Sequence, residues 1–153
     1  MTISTEPRIL GPATLAERAR AIAERPEEWI HRVRLSTDGR WYERLHIDSE
    51  SEIWLISWLP GQATGFHDHG GANGAFAVAL GTLAEHQVQR ARDVEAGQVR
   101  RFGPGYVHDV RNESAAPAVS VHVYSPPLSV MQRYDLDRDG KLVPLASESA
   151  EDW

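Results

Sequence analysis

Hydrophobic positions in the first part of the chain recur at close to 3.6 residues, and those of the remainder alternate. Leu15, Ala19, Ile22, Ala23, Trp29 and Ile30 fall near one helical stripe within 14–33, which Pro26 interrupts. The pattern predicts a helical arm at about 13–34 made of two short helices. From Trp41 onward short runs read as strands over 42–47, 52–59, 75–80, 83–90, 98–102, 107–111 and 118–124. Turn signals at Asp38-Gly39, Pro60-Gly61, Gly70-Gly71 and Gly103-Pro104-Gly105 punctuate them. Asp139-Gly140 predicts a last hairpin between 131–134 and 142–145, leaving 146–153 as a loose acidic tail. Many short, closely spaced strands favour a sandwich or barrel over a parallel α/β sheet. The expected architecture is all-β, a small barrel at about 40–145 behind a short N-terminal helical segment, with 1–153 as one domain.

Composition narrows the function. The 153 residues, 41% hydrophobic and 25% charged, suit a single core. A formal charge of -6 with scattered arginines argues against a phosphate-backbone footprint, so nucleic acid is not an expected partner. No apolar run reaches about 18 residues, and Met1-Thr-Ile-Ser-Thr-Glu has neither a basic start nor an apolar signal core. No membrane partner is expected, and a cytoplasmic location is the expectation. Cysteine is absent, which removes disulfides, zinc-thiolate sites and a cysteine nucleophile together. Any metal must be held by histidine and oxygen ligands.

The candidate ligands stand in Gly61-Gln-Ala-Thr-Gly-Phe-His67-Asp-His69 and Gly105-Tyr-Val-His108-Asp-Val-Arg-Asn112. In an extended segment His67 and His69 point the same way and can grip one ion, while His108 must arrive from elsewhere in the fold. Three neutral imidazoles leave coordination positions open for chemistry and suit iron, copper, nickel or zinc. The spacing from Gly61 through His67, His69 and Gly74 to Gly81 resembles the first cupin motif, G-x5-H-x-H-x4-E-x6-G, with Gly74 in place of the glutamate. Gly105, His108 and Asn112 match the end of the second motif, G-x2-H-x3-N, with Pro104 displaced from its usual position. The resemblance implies a cupin, or jelly-roll, barrel.

A further row stands in Ser120-Val-His122-Val-Tyr124-Ser-Pro-Pro127. Serine, histidine and tyrosine at i, i+2 and i+4 of a strand share one face, either as a hydrogen-bonded line inside the barrel or as a solvent-facing polar edge. With the histidine motifs, this row resembles the cysteine dioxygenase type I family over most of 42–134. That family oxidises free L-cysteine to cysteine sulfinate with O2 and non-haem Fe(II). The resemblance implies His67, His69 and His108 as iron ligands and Ser120, His122 and Tyr124 as an outer relay. It further implies Arg44 as the carboxylate clamp, supported by Tyr42, and a cis bond at Ser125-Pro126. Arg133 is an alternative carboxylate partner. Many animal members carry at the Gly74 position a cysteine that forms a thioether with the tyrosine matching Tyr124, whereas bacterial-type members commonly have glycine. The expected substrates are a small thiol and O2, acting on a monomer or weak homodimer. Two rival readings are a dioxygenase for 3-mercaptopropionate or another small thiol, and a non-catalytic cupin binding a metal or carboxylate. His31, His46 and His86 have no partner at metal spacing and read as packing or surface residues.

Overall fold

A computed structural model describes residues 8–149. The helical arm opens with α1 (Pro12–Ala23), where Pro12 occupies the first turn, which needs no donor, and Leu15 and Ala19 are buried. The expected second helix is replaced by two single 3-10 turns, Pro26–Glu28 and Ile30–Arg32. Pro26 accounts for the break, because its ring cannot continue the preceding helix.

Eleven strands follow: β1 (Trp41–Ile47), β2 (Glu52–Trp58), β3 (Phe66–His67), β4 (Asn73–Leu80), β5 (Thr82–Gln87), β6 (Arg90–Glu95), β7 (Val99–Phe102), β8 (Asp109–Arg111), β9 (Ala118–Ser125), β10 (Val130–Leu136) and β11 (Leu142–Ser149). One sheet has the order β1-β2-β9-β4-β7, and two three-stranded sheets have the orders β11-β10-β3 and β6-β5-β8. The small sheets meet through isolated bridges, Ala63 with Arg111 and His67 with His108, so they act as one wall facing the five-stranded sheet.

Two further expectations are corrected. The run 83–90 contains a turn at Val88-Gln89 and divides into β5 and β6. Neither turn residue is Gly, Pro, Asn or Asp, so the usual signal is missing. The last hairpin is longer than expected: β11 pairs with β10 as far as Ser149, so 146–149 belong to a strand, while 150–153 lie outside the described residues.

The core lies between the walls. Ile56, Trp58, Phe76, Val78, Leu83, Val94, Phe102 and Val110 are buried there, alternating along their strands with residues that face outward. The outer face of the large sheet is apolar too, and the arm covers it. Leu15 and Ala19 pack on Ala75, Ala77 and Val123, and Trp29 packs on Leu55, Val119 and Val121. Both faces of β9 are therefore buried, so the alternation of Ser120, His122 and Tyr124 with Val119, Val121 and Val123 places a polar row inside the barrel.

Candidate metal centre

His67 and His108 are placed by a reciprocal backbone bridge. The His67 amide donates to the His108 carbonyl at 3.0 Å and the His108 amide donates back at 3.1 Å. His69 lies just beyond β3, and the three side chains, all buried, bring their ligand atoms within 4.8 Å of one another. Two tautomers follow from their partners. His67 Nδ1 stands 2.8 Å from the Gly65 carbonyl and His108 Nδ1 stands 2.9 Å from a Glu85 carboxylate oxygen. Both partners can only accept, so each Nδ1 carries the proton and each Nε2 presents a lone pair. His67 Nε2 faces His69 Nε2 at 3.1 Å, and His69 Nδ1 is buried without a hydrogen-bond partner. Burial first, then the neighbouring imidazoles, holds His67 and His69 well below the ordinary histidine pKa. Side chains that converge in this way fit a transition-metal ion, which binds imidazole through a deprotonated nitrogen.

Glu85, which the sequence reading passed over, stands behind this set. Its side chain is 1% exposed, and besides His108 it accepts from Arg100 Nε at 2.8 Å. Burial would raise its pKa, but His108 and Arg100 outweigh it and hold the carboxyl down to about 2. An ionised carboxylate thus backs one ligand, although no carboxylate belongs to the ligand set itself. Asn112 is structural: its Nδ2 donates to the carbonyls of Trp58 and Ala116 and its Oδ1 accepts from Ser114. Asp109 accepts from the Gly65 amide at 3.0 Å and pairs with Arg111, and Asp68 accepts from the amides of Gly70 and Gln132. Both support the turns around His67 rather than joining the ligands.

The row on β9 forms a line with one more member than expected, Trp58 of β2. The indole Nε1–H donates to Ser120 Oγ at 2.8 Å, and Ser120 Oγ lies 2.7 Å from His122 Nε2. The serine proton then goes to Nε2, so His122 carries its own proton on Nδ1, 3.4 Å from Tyr124 Oη. Burial lowers the His122 pKa to about 3, and burial together with Glu52 pushes that of Tyr124 upward, so the pair is a neutral imidazole and a protonated phenol. The Tyr124 ring also stacks on one face of His69 at 5.2 Å, and Phe102 stacks on His69 at 4.7 Å. A cavity touches His67, His108, His122 and Tyr124 together, with Ile56, Val110 and Met131 as apolar lining.

The sequence pattern of the family described as "Cysteine dioxygenase type I" matches residues 14–137. The chain belongs to the cysteine dioxygenase type I family. Solved structures agree on the fold. A Klebsiella pneumoniae protein with a double-stranded β-helix domain is 20% identical, with a TM-score of 0.60, 76% of this chain covered and 93% of that one. A cupin-superfamily sugar phosphate isomerase from Silicibacter pomeroyi is 23% identical, with a TM-score of 0.59 and coverage of 76% and 80%. A Thermus thermophilus protein is 25% identical, with a TM-score of 0.59 and coverage of 64% and 94%. The barrel is the cupin fold, and the three-histidine group has the arrangement to hold a metal ion in a chain of this dioxygenase-like family.

Several further features surround the three histidines. Arg44, the expected clamp, has Nη1 3.8 Å from the Glu52 carboxylate, lies over the Trp54 ring and is 45% exposed. Tyr42 meets the Trp54 ring edge-on at 5.8 Å. The guanidinium groups that line the cavity are those of Arg40 and Arg133, and Arg40 drew no attention in the sequence because a charge beside a Gly39 turn reads as surface. Gly74 pairs with Tyr124 across β4 and β9, and a Cβ there would overlap the Phe102 ring, 2.5 Å from its Cζ, and stand 3.1 Å from Tyr124 Cδ1. Phe102 thus fills the room beside the tyrosine. The Ser125-Pro126 bond is cis, as the resemblance implied. His46 pairs with Asp48 and His86 with Glu113, and among the described residues the metal group contains neither.

Proposed function

We propose that the chain is a thiol dioxygenase that converts free L-cysteine to cysteine sulfinate with O2, using Fe(II) held by His67, His69 and His108. The observation that carries this reading is the cavity shared by two of these ligands with His122 and Tyr124. The net reaction balances without another reductant. A thiolate and O2 become a sulfinate: two S–O bonds form, the O–O bond breaks, and the four electrons lost by sulfur are gained by oxygen. Ferrous iron, when bound, would supply the redox chemistry and the open positions at which thiolate and O2 meet.

The protein's own groups do the rest. The neutral ligand set favours an anionic thiolate as an additional ligand, and a guanidinium on the cavity wall receives the substrate carboxylate. Tyr124 keeps its proton, accepts from His122 Nδ1 and donates toward the reacting groups. Trp58 and Ser120 fix the His122 tautomer that makes this direction possible. Ile56, Val110 and Met131 limit water beside the sulfur. Anaerobically iron-loaded protein should consume one O2 per cysteine and yield sulfinate by mass spectrometry. Iron uptake without O2 consumption on any small thiol would make this a binding cupin instead. A larger kcat/KM for 3-mercaptopropionate than for cysteine would select that thiol as the substrate instead.

A further inference from the structure

Away from the histidine cavity, two adjoining cavities of about 370 and 310 Å3 run along α1 and share Arg20 with Val99 and Arg100 of β7. Arg92 of β6 lines the first and Arg101 of β7 the second. Four guanidinium groups thus border one groove, against the carboxylates of Asp93 and Glu17. Four minus two leaves an excess of two positive charges there, in a chain whose formal charge is -6. Arg20, Arg92 and Arg101 are exposed, and among the described residues none of them has a hydrogen-bond or ion-pair partner. One solvated arginine is ordinary surface. Three without a counter-charge around one concavity, beside a fourth, raise its potential and repel one another. Arg100 differs from the rest because it is held from behind, with Nε 2.8 Å from Glu85 Oε1 and its side chain only 28% exposed.

We propose that this groove binds a small, multiply charged oxyanion of the phosphate or polycarboxylate type, and that its occupancy strengthens metal binding at the three histidines. Guanidinium forks match the oxygens of either group, and a ligand spanning Arg20, Arg92 and Arg100 meets charges from α1, β6 and β7 together. The link to the histidines is short. The same carboxylate that accepts from Arg100 through Oε1 accepts from His108 Nδ1 through Oε2 at 2.9 Å. An anion on the outer side of Arg100 offsets positive charge that opposes a cation at the histidines, and leaves more of the Glu85 charge to act on His108. By linkage, metal must tighten anion binding by the factor by which the anion tightens metal binding. The binding half is independent of the thiol-oxidising reading, and the coupling half needs only an ion at His67, His69 and His108.

The test begins with calorimetric titration of pyrophosphate, and separately of citrate, into metal-free full-length protein at low salt. One equivalent of at least one probe should bind, with an affinity that falls steeply as salt rises from about 20 to about 300 mM. Pyrophosphate alone would assign a phosphate-bearing ligand and citrate alone a polycarboxylate, and either supports the site. Arg20→Gln combined with Arg92→Gln should weaken binding by roughly tenfold or more, and both positions are exposed, so the fold should tolerate the change. Arg138→Gln, on the turn between β10 and β11, should stay within about two-fold. Absence of binding by both probes, or equal binding by wild type and the double variant, overturns the site. Coupling is read as the ratio of Ni(II) affinities with and without the bound probe, from competition with a chromophoric chelator. The double variant is the blank, since direct chelation of Ni(II) by the probe is the same in both proteins. The ratio should favour wild type by about 5-fold. Equal ratios overturn the coupling, whatever the protein does with thiols and O2.

Discussion

Replacing Gly74 by alanine adds one methyl group at the most crowded point beside the metal ligands. The new Cβ would overlap Phe102 Cε2, lie 2.5 Å from Phe102 Cζ and stand 3.1 Å from Tyr124 Cδ1. Relieving the backbone entropy of glycine within a strand contributes roughly 0.5–1 kcal/mol of stability. Overpacking a well-filled core costs about 1–3 kcal/mol, and the Phe102 ring has little room to retreat because it stacks on His69 and Tyr106 at 4.7 and 4.9 Å. The net expectation is a loss of about 1–2 kcal/mol, and Phe102→Leu should remove the atoms that clash. Urea unfolding of metal-free protein, followed by circular dichroism across a double-mutant cycle, measures both. The coupling between the two substitutions should be about 1–3 kcal/mol, with Gly74→Ala neutral or stabilising in the Phe102→Leu background. Costs that agree within about 0.5 kcal/mol in both backgrounds would refute the contact. By the same geometry, a cysteine introduced at 74 should reach the Tyr124 ring without strain only when Phe102 is also shortened.

Other expectations follow from the ligand surroundings. Glu85→Gln keeps the shape behind His108 but removes the charge, and should lower metal affinity by roughly 10- to 100-fold in a competitive chelator titration. His67→Ala, His69→Ala and His108→Ala should each abolish stoichiometric iron binding and O2 consumption, while His86→Ala retains most of both; metal analysis with oxygen-electrode assays checks this. His122 has a folded pKa of about 3 against 6.5 for the free side chain, so the unfolded chain binds its proton first. Stability is then complete above about pH 6.5 and falls as pH drops toward 3, His122 alone contributing a loss of about 2 kcal/mol between pH 6.5 and pH 5. Urea titrations of metal-free wild type and His122→Asn at the two pH values should differ by that amount in their pH-dependent loss, and parallel losses would contradict a buried neutral imidazole.

The barrel and the three-histidine group were legible for different reasons. Strand alternation and turn residues located most of the sheets because strands such as β2, β4 and β9 bury at least one face. The histidines stood out because His67, His69 and His108 sit at the spacings of two cupin motifs in the right order. The groups that tune the site were harder to see, since each has an ordinary local appearance. Trp58 reads as core, and only its Nε1–H bond to Ser120 across two strands reveals a second role. Glu85 shares the alternation of buried Leu83, which was the one available sign that an acid points inward, but its partners His108 and Arg100 lie 23 and 15 residues away. Arg40 depends on the register of β1 against β2, which turn signals and composition leave open.

The reciprocal amide pair between His67 and His108 has a meaning for the lifetime of the protein. It lies on the seam where two small sheets meet, and side chains anchored on both sides of that seam converge on one point. An ion taken up there is a clasp as well as a cofactor, because it binds the closed seam and has no comparable site on the open one. Occupancy at about a hundred times the dissociation constant contributes roughly 2.7 kcal/mol to the folded state, a sizeable fraction of what holds a small domain together. Limited proteolysis should therefore cut metal-free protein at β3 and β8 faster than metal-loaded protein.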